Sequence, residues 1–186
     1  MLEQVSMLHA KVQRGFTVIE LMMALVIAGV LLALAIPSFR ELLARNRVEG
    51  IAGELATDLQ YARSEAVSRN ANVGLIAQAN CYTVFVVGGP AASSCTSLNG
   101  GSAIKSVIID AATVGLGFTS TAATPRPFIQ FDPVRGFASD AAGNDWAGHV
   151  VVRTSVGNWE LRAEVVNPGR ARACSPTGTF KGYPTC

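Results

Sequence analysis

From Phe16 to Ile36 the chain runs for twenty-one residues with a single charged side chain, Glu20. About twenty apolar residues cross the hydrocarbon core of a bilayer as a helix, so this stretch constrains the fold more than any other. Lys11 and Arg14 precede it, and the positive-inside rule leaves that end in the cytoplasm and carries the remainder outward. The run also accounts for much of the mean hydropathy of +0.34 and for the low share of charged residues, 15%. A carboxylate inside a spanning segment costs about 2.5–3.5 kcal/mol at the helix centre, which makes Glu20 a candidate functional residue by default.

A cleaved secretory signal could use Ala33-Leu34-Ala35 as its cleavage site. Against it, the run is longer than the usual apolar region of such signals and contains an acid. A plain signal anchor would leave Glu20 as a tolerated interfacial acid. The stretch "RGFTVIELMMALVIAGVLLALAIPSF" offers a third reading, because it resembles the N-terminus of the type IV pilin superfamily. The resemblance implies a leader, residues 1–15, cut by a prepilin peptidase between Gly15 and Phe16, with methylation of the Phe16 amine. It also implies that Glu20, fifth in the mature chain, guides filament assembly by pairing with the Phe16 amine of a neighbouring pilin subunit. An unpaired buried charge is costly, so such pairing would reward correct register.

Downstream of Pro37, which should kink or locally melt the helix, apolar residues recur at helical spacing: Val48, Ile51, Leu55, Leu59, Ala62 and Ala66. Arg45, Arg47, Glu49, Glu54, Asp58 and Arg63 take much of the remaining surface. That is an amphipathic helix docked on a domain. The spacing predicts one helix from Phe16 to about Asn70, about 80 Å long, with residues 16–36 in the membrane or filament core and 37–70 packed on the rest. "DLQYARSEAVSRN" at its end resembles the GspH/FimT branch of minor pilins and pseudopilins.

The pattern then changes to period two. Val73–Ala77, Tyr82–Val87, Ser106–Ile109, Phe128–Phe131, His149–Thr154 and Trp159–Val166 are expected strands, the last two joined at Val156-Gly157-Asn158. Residues 71–167 should form a small antiparallel β domain, as two sheets or one bent sheet, and 168–186 a basic tail. The whole is α+β, which agrees with the type IV pilin fold that the resemblance implies.

Little chemistry is visible. His9 falls in the leader, and His149, beside a strand start, is expected to be structural. The sequence contains no nucleophile elbow, P-loop or H-E-x-x-H motif, so neither an enzyme nor a cofactor is expected. Asp140, Asn144 and Asp145 supply hard oxygens in a Gly-containing loop, but without EF-hand spacing, and a solvated turn is the expectation there. Four cysteines allow three connectivities; proximity favours Cys81–Cys95 and Cys174–Cys186, and no C-x-x-C spacing supports zinc.

The tail, "NPGRARACSPTGTFKGYPTC", carries Arg170, Arg172 and Lys181 from residue 170 onward with no acid, whereas the whole chain has a formal net charge of +2. If the segment is extended, Arg170 and Arg172 point the same way, about 7 Å apart, near the phosphate spacing of one DNA strand. Guanidinium groups grip phosphates in bidentate fashion. Phe180 and Tyr183 could stack on bases or merely pack the loop. Gly169-Arg170-Ala171-Arg172 resembles the G-R-x-R motif of FimT-type minor pilins. The resemblance implies binding of extracellular double-stranded DNA during natural transformation, with Gly169, Arg170 and Arg172 at the site. Lys181 and Arg162 are expected auxiliary contacts. It also implies a subunit held in the inner membrane, with its domain in the periplasm, before it joins an extracellular pilus. The alternative is a structural minor pilin or a type II secretion pseudopilin that primes filament assembly without touching DNA.

Overall fold

The computed structural model describes residues 15–89, 92–110, 112, 114–120, 128–140, 145–146, 148–166 and 168–186. Its contacts divide the chain into two units, Met1–Phe39 and Arg40–Cys186. Helix α1 (Val18–Arg69) contributes to both. His9, Lys11 and Arg14 lie outside the described residues.

In the first unit α1 is apolar on every side. Its most hydrophobic 18-residue window has a mean hydropathy of 2.7, and none of that window is buried. Such a helix is long and apolar enough to cross a membrane. It opens at Thr17, whose Oγ1 accepts the Glu20 backbone N–H at 3.3 Å. Thr17 thus caps the helix, and Glu20 stands three residues on, at the acid position of a T-x-x-E sequence. The helix runs through Pro37 without a break, so the local melting expected there is not seen.

In the second unit α1 buries Ala44, Val48, Ala52, Leu55, Leu59, Ala62 and Ala66, the stripe expected from the spacing with Ile51 at its margin. Asn70 closes the helix at φ 50, a left-handed stop. Among the described residues nine strands follow: β1 (Val73–Gln78), β2 (Cys81–Val86), β3 (Ser102–Ile108), β4 (Gly115–Ser120), β5 (Phe128–Phe131), β6 (Ala138–Ser139), β7 (Gly148–Arg153), β8 (Glu160–Val166) and β9 (Arg170–Cys174). They form two sheets, ordered β3-β2-β1-β5-β6 and β4-β7-β8-β9, and every pairing is antiparallel. One core joins α1 to both sheets, with Leu75, Tyr82, Val84 and Phe131 from the first and Val150, Val152, Leu161 and Ala163 from the second.

Other expectations change: β3 starts at Ser102 rather than Ser106, and β6 was not among the expected strands. Asp58, expected on the surface, is buried: it accepts the Tyr82 hydroxyl at 2.8 Å and Lys105 Nζ at 2.7 Å. Burial and the Asp58 carboxylate together push the Tyr82 phenol well above its ordinary range. Strand β4 was not expected. Gly115 and Gly117 weaken its sequence signal, and the strand forms as an edge partner of β7. The tail is not a separate appendage. Its first residues are β9, paired with β8 from Val166↔Arg170 to Arg162↔Cys174.

Candidate functional site

Strand β9 is short and rich in Arg and Ala, residues with weak strand preference. Three features hold it. Its ladder to β8 is the first. The second is the edge contact in which Gln60 on α1 donates to the Ala171 carbonyl at 3.1 Å, which blunts an otherwise open edge. The third is the Cys174–Cys186 disulfide at its last residue. Ala171 and Ala173 turn toward the core. Arg170 and Arg172 alternate with them and are exposed, so both guanidinium groups leave from one face, about 7 Å apart.

Gly169 sets the start of that strand. It is buried, sits at φ +89 and donates its N–H to the Val166 carbonyl at 2.9 Å. A Cβ there would overlap the Gly136 carbonyl oxygen and lie 3.3 Å from Arg63 Nε. Only glycine suits both the backbone angle and the close approach.

Register places Arg162 and Glu164 on the same outer face as Arg172, with His149 opposite Glu164. The face mixes charge. Arg172 pairs with Glu164 at 2.6 Å, and Arg162 with Glu160 at 3.0 Å. Among the described residues Arg170 has no ion pair. Burial, then the nearby Arg162, hold the His149 imidazole below its ordinary range, against the opposing pull of Glu164 and Glu160.

Lys181 does not join this group. It follows Phe180, which is 1% exposed and packs edge-on against Trp159 at 5.3 Å and Tyr183 at 6.1 Å. Arg45 lies over both Trp159 and Phe180. The aromatic side chains of the tail therefore fill the loop closed by the disulfide. Arg45 and Arg63 are eighteen residues apart on α1, about 27 Å at 1.5 Å per residue. Lys181 thus stands near one end of the second sheet and Gly169 near the other.

Two arginines beside Gly169 were not among the expected contacts. Arg63 lies against Gly136 and Gly169, and Arg135 precedes Gly136 in an exposed turn. The available signal was the Arg135-Gly136 pair, which places an arginine beside a turn glycine just as Gly169-Arg170 does.

Elsewhere the structure joins Cys81 to Cys95. Asp140 is buried and Asp145 exposed, while Asn144 lies outside the described residues. Glu164 lies close to Cys174 and Cys186, but a disulfide leaves those sulfurs no thiolate to offer a metal.

Residues 52–174 match the family model described as Type II transport protein GspH, and residues 10–36 match the Prokaryotic N-terminal methylation motif. Over 65 residues the chain is 49% identical to the Pilin-like protein PilA1 of Thermus thermophilus, covering 34% of this chain and 39% of that protein. Over 44 residues it is 41% identical to the Type IV major alpha-pilin of Moraxella bovis, 24% of this chain and 28% of that protein. The matched segments thus span less than half the length of these relatives. Among solved structures, the minor pseudopilin EpsH from the Type 2 Secretion System of Vibrio cholerae aligns with a TM-score of 0.47 and 13% identity, over 69% of this chain and 97% of that one. The type IV minor pilin FimU of Pseudomonas aeruginosa aligns with a TM-score of 0.45 and 16% identity, over 69% and 94%.

Proposed function

From the chain's membership of the GspH family, shown by the match over residues 52–174, we propose that it is a minor pilin that binds DNA by its phosphates through Gly169-Arg170-Ala171-Arg172 and aids uptake in natural transformation. One observation carries the DNA reading: Gly169 fixes a strand from which Arg170 and Arg172 project on one exposed face, Arg170 without an ion pair among the described residues. The Arg172–Glu164 pair does not prevent this. Its side chains are 49% and 19% exposed, and a surface pair of this kind is worth only about 0–1 kcal/mol, so a phosphate can displace the carboxylate. Recognition through phosphates is largely independent of sequence.

In the same reading residues 1–15 are a leader cut after Gly15, the Phe16 amine is methylated, and Glu20 guides docking among subunits. Prepilin peptidase and other pilins are then the protein partners. The domain enters the periplasm from an inner-membrane anchor and later leaves on the pilus. Mass spectrometry of the membrane-extracted protein should find methyl-Phe16 at the N-terminus; an intact Met1 would contradict this.

The ion pairs of Arg162 and Arg172 favour a second reading, a structural minor pilin or secretion pseudopilin that primes assembly without DNA. Gel shifts with random-sequence duplex separate the two. Replacing Arg170 and Arg172 together by Gln should remove most binding and lower transformation while pili remain. Undiminished binding by that variant leaves the structural reading.

A further inference from the structure

Two hairpin turns, one from each sheet, meet over a single arginine. The β5–β6 turn is tightly tied: Gly136 N–H donates to the Asp132 carbonyl at 2.9 Å, Asp132 N–H to the Phe137 carbonyl at 3.0 Å, and Val134 N–H to Asp132 Oδ1 at 2.8 Å. The β8–β9 turn is tied through Gly169 to Val166. Gly136 and Gly169 are both buried, and both have positive φ, 63 and 89. A Cβ on Gly136 would lie 2.8 Å from Arg63 Nε and 3.3 Å from its Cγ; one on Gly169 would lie 3.3 Å from the same Nε. The Arg63 side chain thus lies against both glycines.

Arg135 and Arg170 are the chain neighbours of those glycines, so each Cα is only about 3.8 Å from a glycine Cα. Both are exposed. Three arginines from three distant segments are therefore rooted around the two glycines, and among the described residues none of the three has a carboxylate within 4.0 Å. Arg45, Arg69, Arg162 and Arg172 have acidic partners, whereas Arg40, Arg47 and Arg153, scattered over the domain, have none among the described residues. Like charges held together without a counter-charge repel one another, and a bound anion relieves that repulsion. Rigid turns fix the backbone positions of Arg135 and Arg170 in advance, which lowers the ordering cost of binding.

We infer that Arg63, Arg135 and Arg170 form one phosphate-binding cluster, the main anchor for the DNA backbone, with Arg172 one step along β9 engaging the next phosphate. This rests on the DNA reading above and changes its membership: Arg63 and Arg135 replace Lys181 and Arg162. Lys181 is set apart by the length of the sheet, and Arg162 already has Glu160.

The test uses the full chain in detergent micelles and a fluorescein-labelled random-sequence DNA duplex, with anisotropy read across a salt series. Replacing Arg135 by Gln should flatten the slope of log K against log salt by about one unit, and Arg63→Gln with Arg135→Gln by about two, with more than about tenfold loss of affinity at 0.1 M salt. Arg63→Lys keeps the charge and should keep the slope. Arg47→Gln, on an exposed part of α1 remote from both glycines, should change neither quantity. If the Arg63/Arg135 pair can be removed without effect while Arg170→Gln with Arg172→Gln loses binding, the cluster is wrong and the proposed function stands. If Arg47→Gln weakens binding as much as Arg135→Gln, diffuse charge explains the data and the cluster is again wrong. A parent chain that does not bind the duplex overturns both readings. Should Arg63→Gln fail to fold, Arg135→Gln alone decides, since its side chain lies in an exposed turn and supports no core.

Discussion

Replacing Gly169 by Ala tests the geometry on which the site depends. At φ +89 a Cβ costs about 1–2 kcal/mol from the backbone alone. It would also overlap the Gly136 carbonyl oxygen, and that carbonyl belongs to a turn held by three hydrogen bonds. Relief requires one hairpin to lift from the other, an overpacking cost of about 1–3 kcal/mol. The sum, about 2–5 kcal/mol, lowers Tm by roughly 5–15 °C for a unit of this size. Gly178→Ala is the control: its φ is +68 but nothing lies within 4 Å of the added carbon, so only the backbone term of about 1–2 kcal/mol applies. Thermal unfolding of the full chain in detergent, followed by near-UV circular dichroism of Trp146 and Trp159, measures both. If Gly169→Ala unfolds no earlier than Gly178→Ala, the two turns do not press on each other, and the convergence of Arg63, Arg135 and Arg170 fails with them.

The buried carboxylate and the histidine give further tests. Tyr82→Phe removes one donor to Asp58 but leaves Lys105, and should cost about 1–2 kcal/mol. Lys105→Met leaves Asp58 with the Tyr82 hydroxyl alone and should cost about 3 kcal/mol; urea midpoints with unchanged m-values check both, and equal midpoints would contradict the network. His149 is held below its ordinary value of 6.5 by burial and by Arg162, so the folded state binds fewer protons than the unfolded one. Its contribution to stability is complete above about pH 6.5 and declines as pH falls below that; His149→Gln should flatten this part of the profile, and an unchanged profile would contradict it.

How much of this was legible in the sequence depended on how local the signal was. The membrane-length run, the core stripe of α1 and the Asn70 stop are written in neighbouring residues, and the structure repeats them. Asp58 was misplaced because its partners, Tyr82 and Lys105, lie 24 and 47 residues away, and a carboxylate on a helix signals surface until such partners are seen. Strand β4 escaped because two glycines dilute its pattern, and β9 because its apolar positions are only Ala171 and Ala173. At the candidate site, the glycine and alternating arginines of 169–172 were visible in one stretch. Arg63 and Arg135 were not, because Arg63 and the turn after Arg135 meet Gly169 only once α1 and two hairpins have packed. Lys181 looked adjacent by number, yet Phe180 carries it toward Arg45.

Whether the chain holds DNA by its phosphates at the 169–172 strand, as proposed, is tested most directly by the salt dependence of that binding. Between about 50 and 200 mM salt, with about four phosphate contacts, the full chain should show a slope of roughly −3 to −4 and lose roughly 100-fold in affinity for a random-sequence duplex. Replacing Arg170 and Arg172 by Gln should reduce that slope by about two units, to a loss of roughly tenfold. A parent slope shallower than about −1, or a variant slope equal to the parent's, would contradict the account.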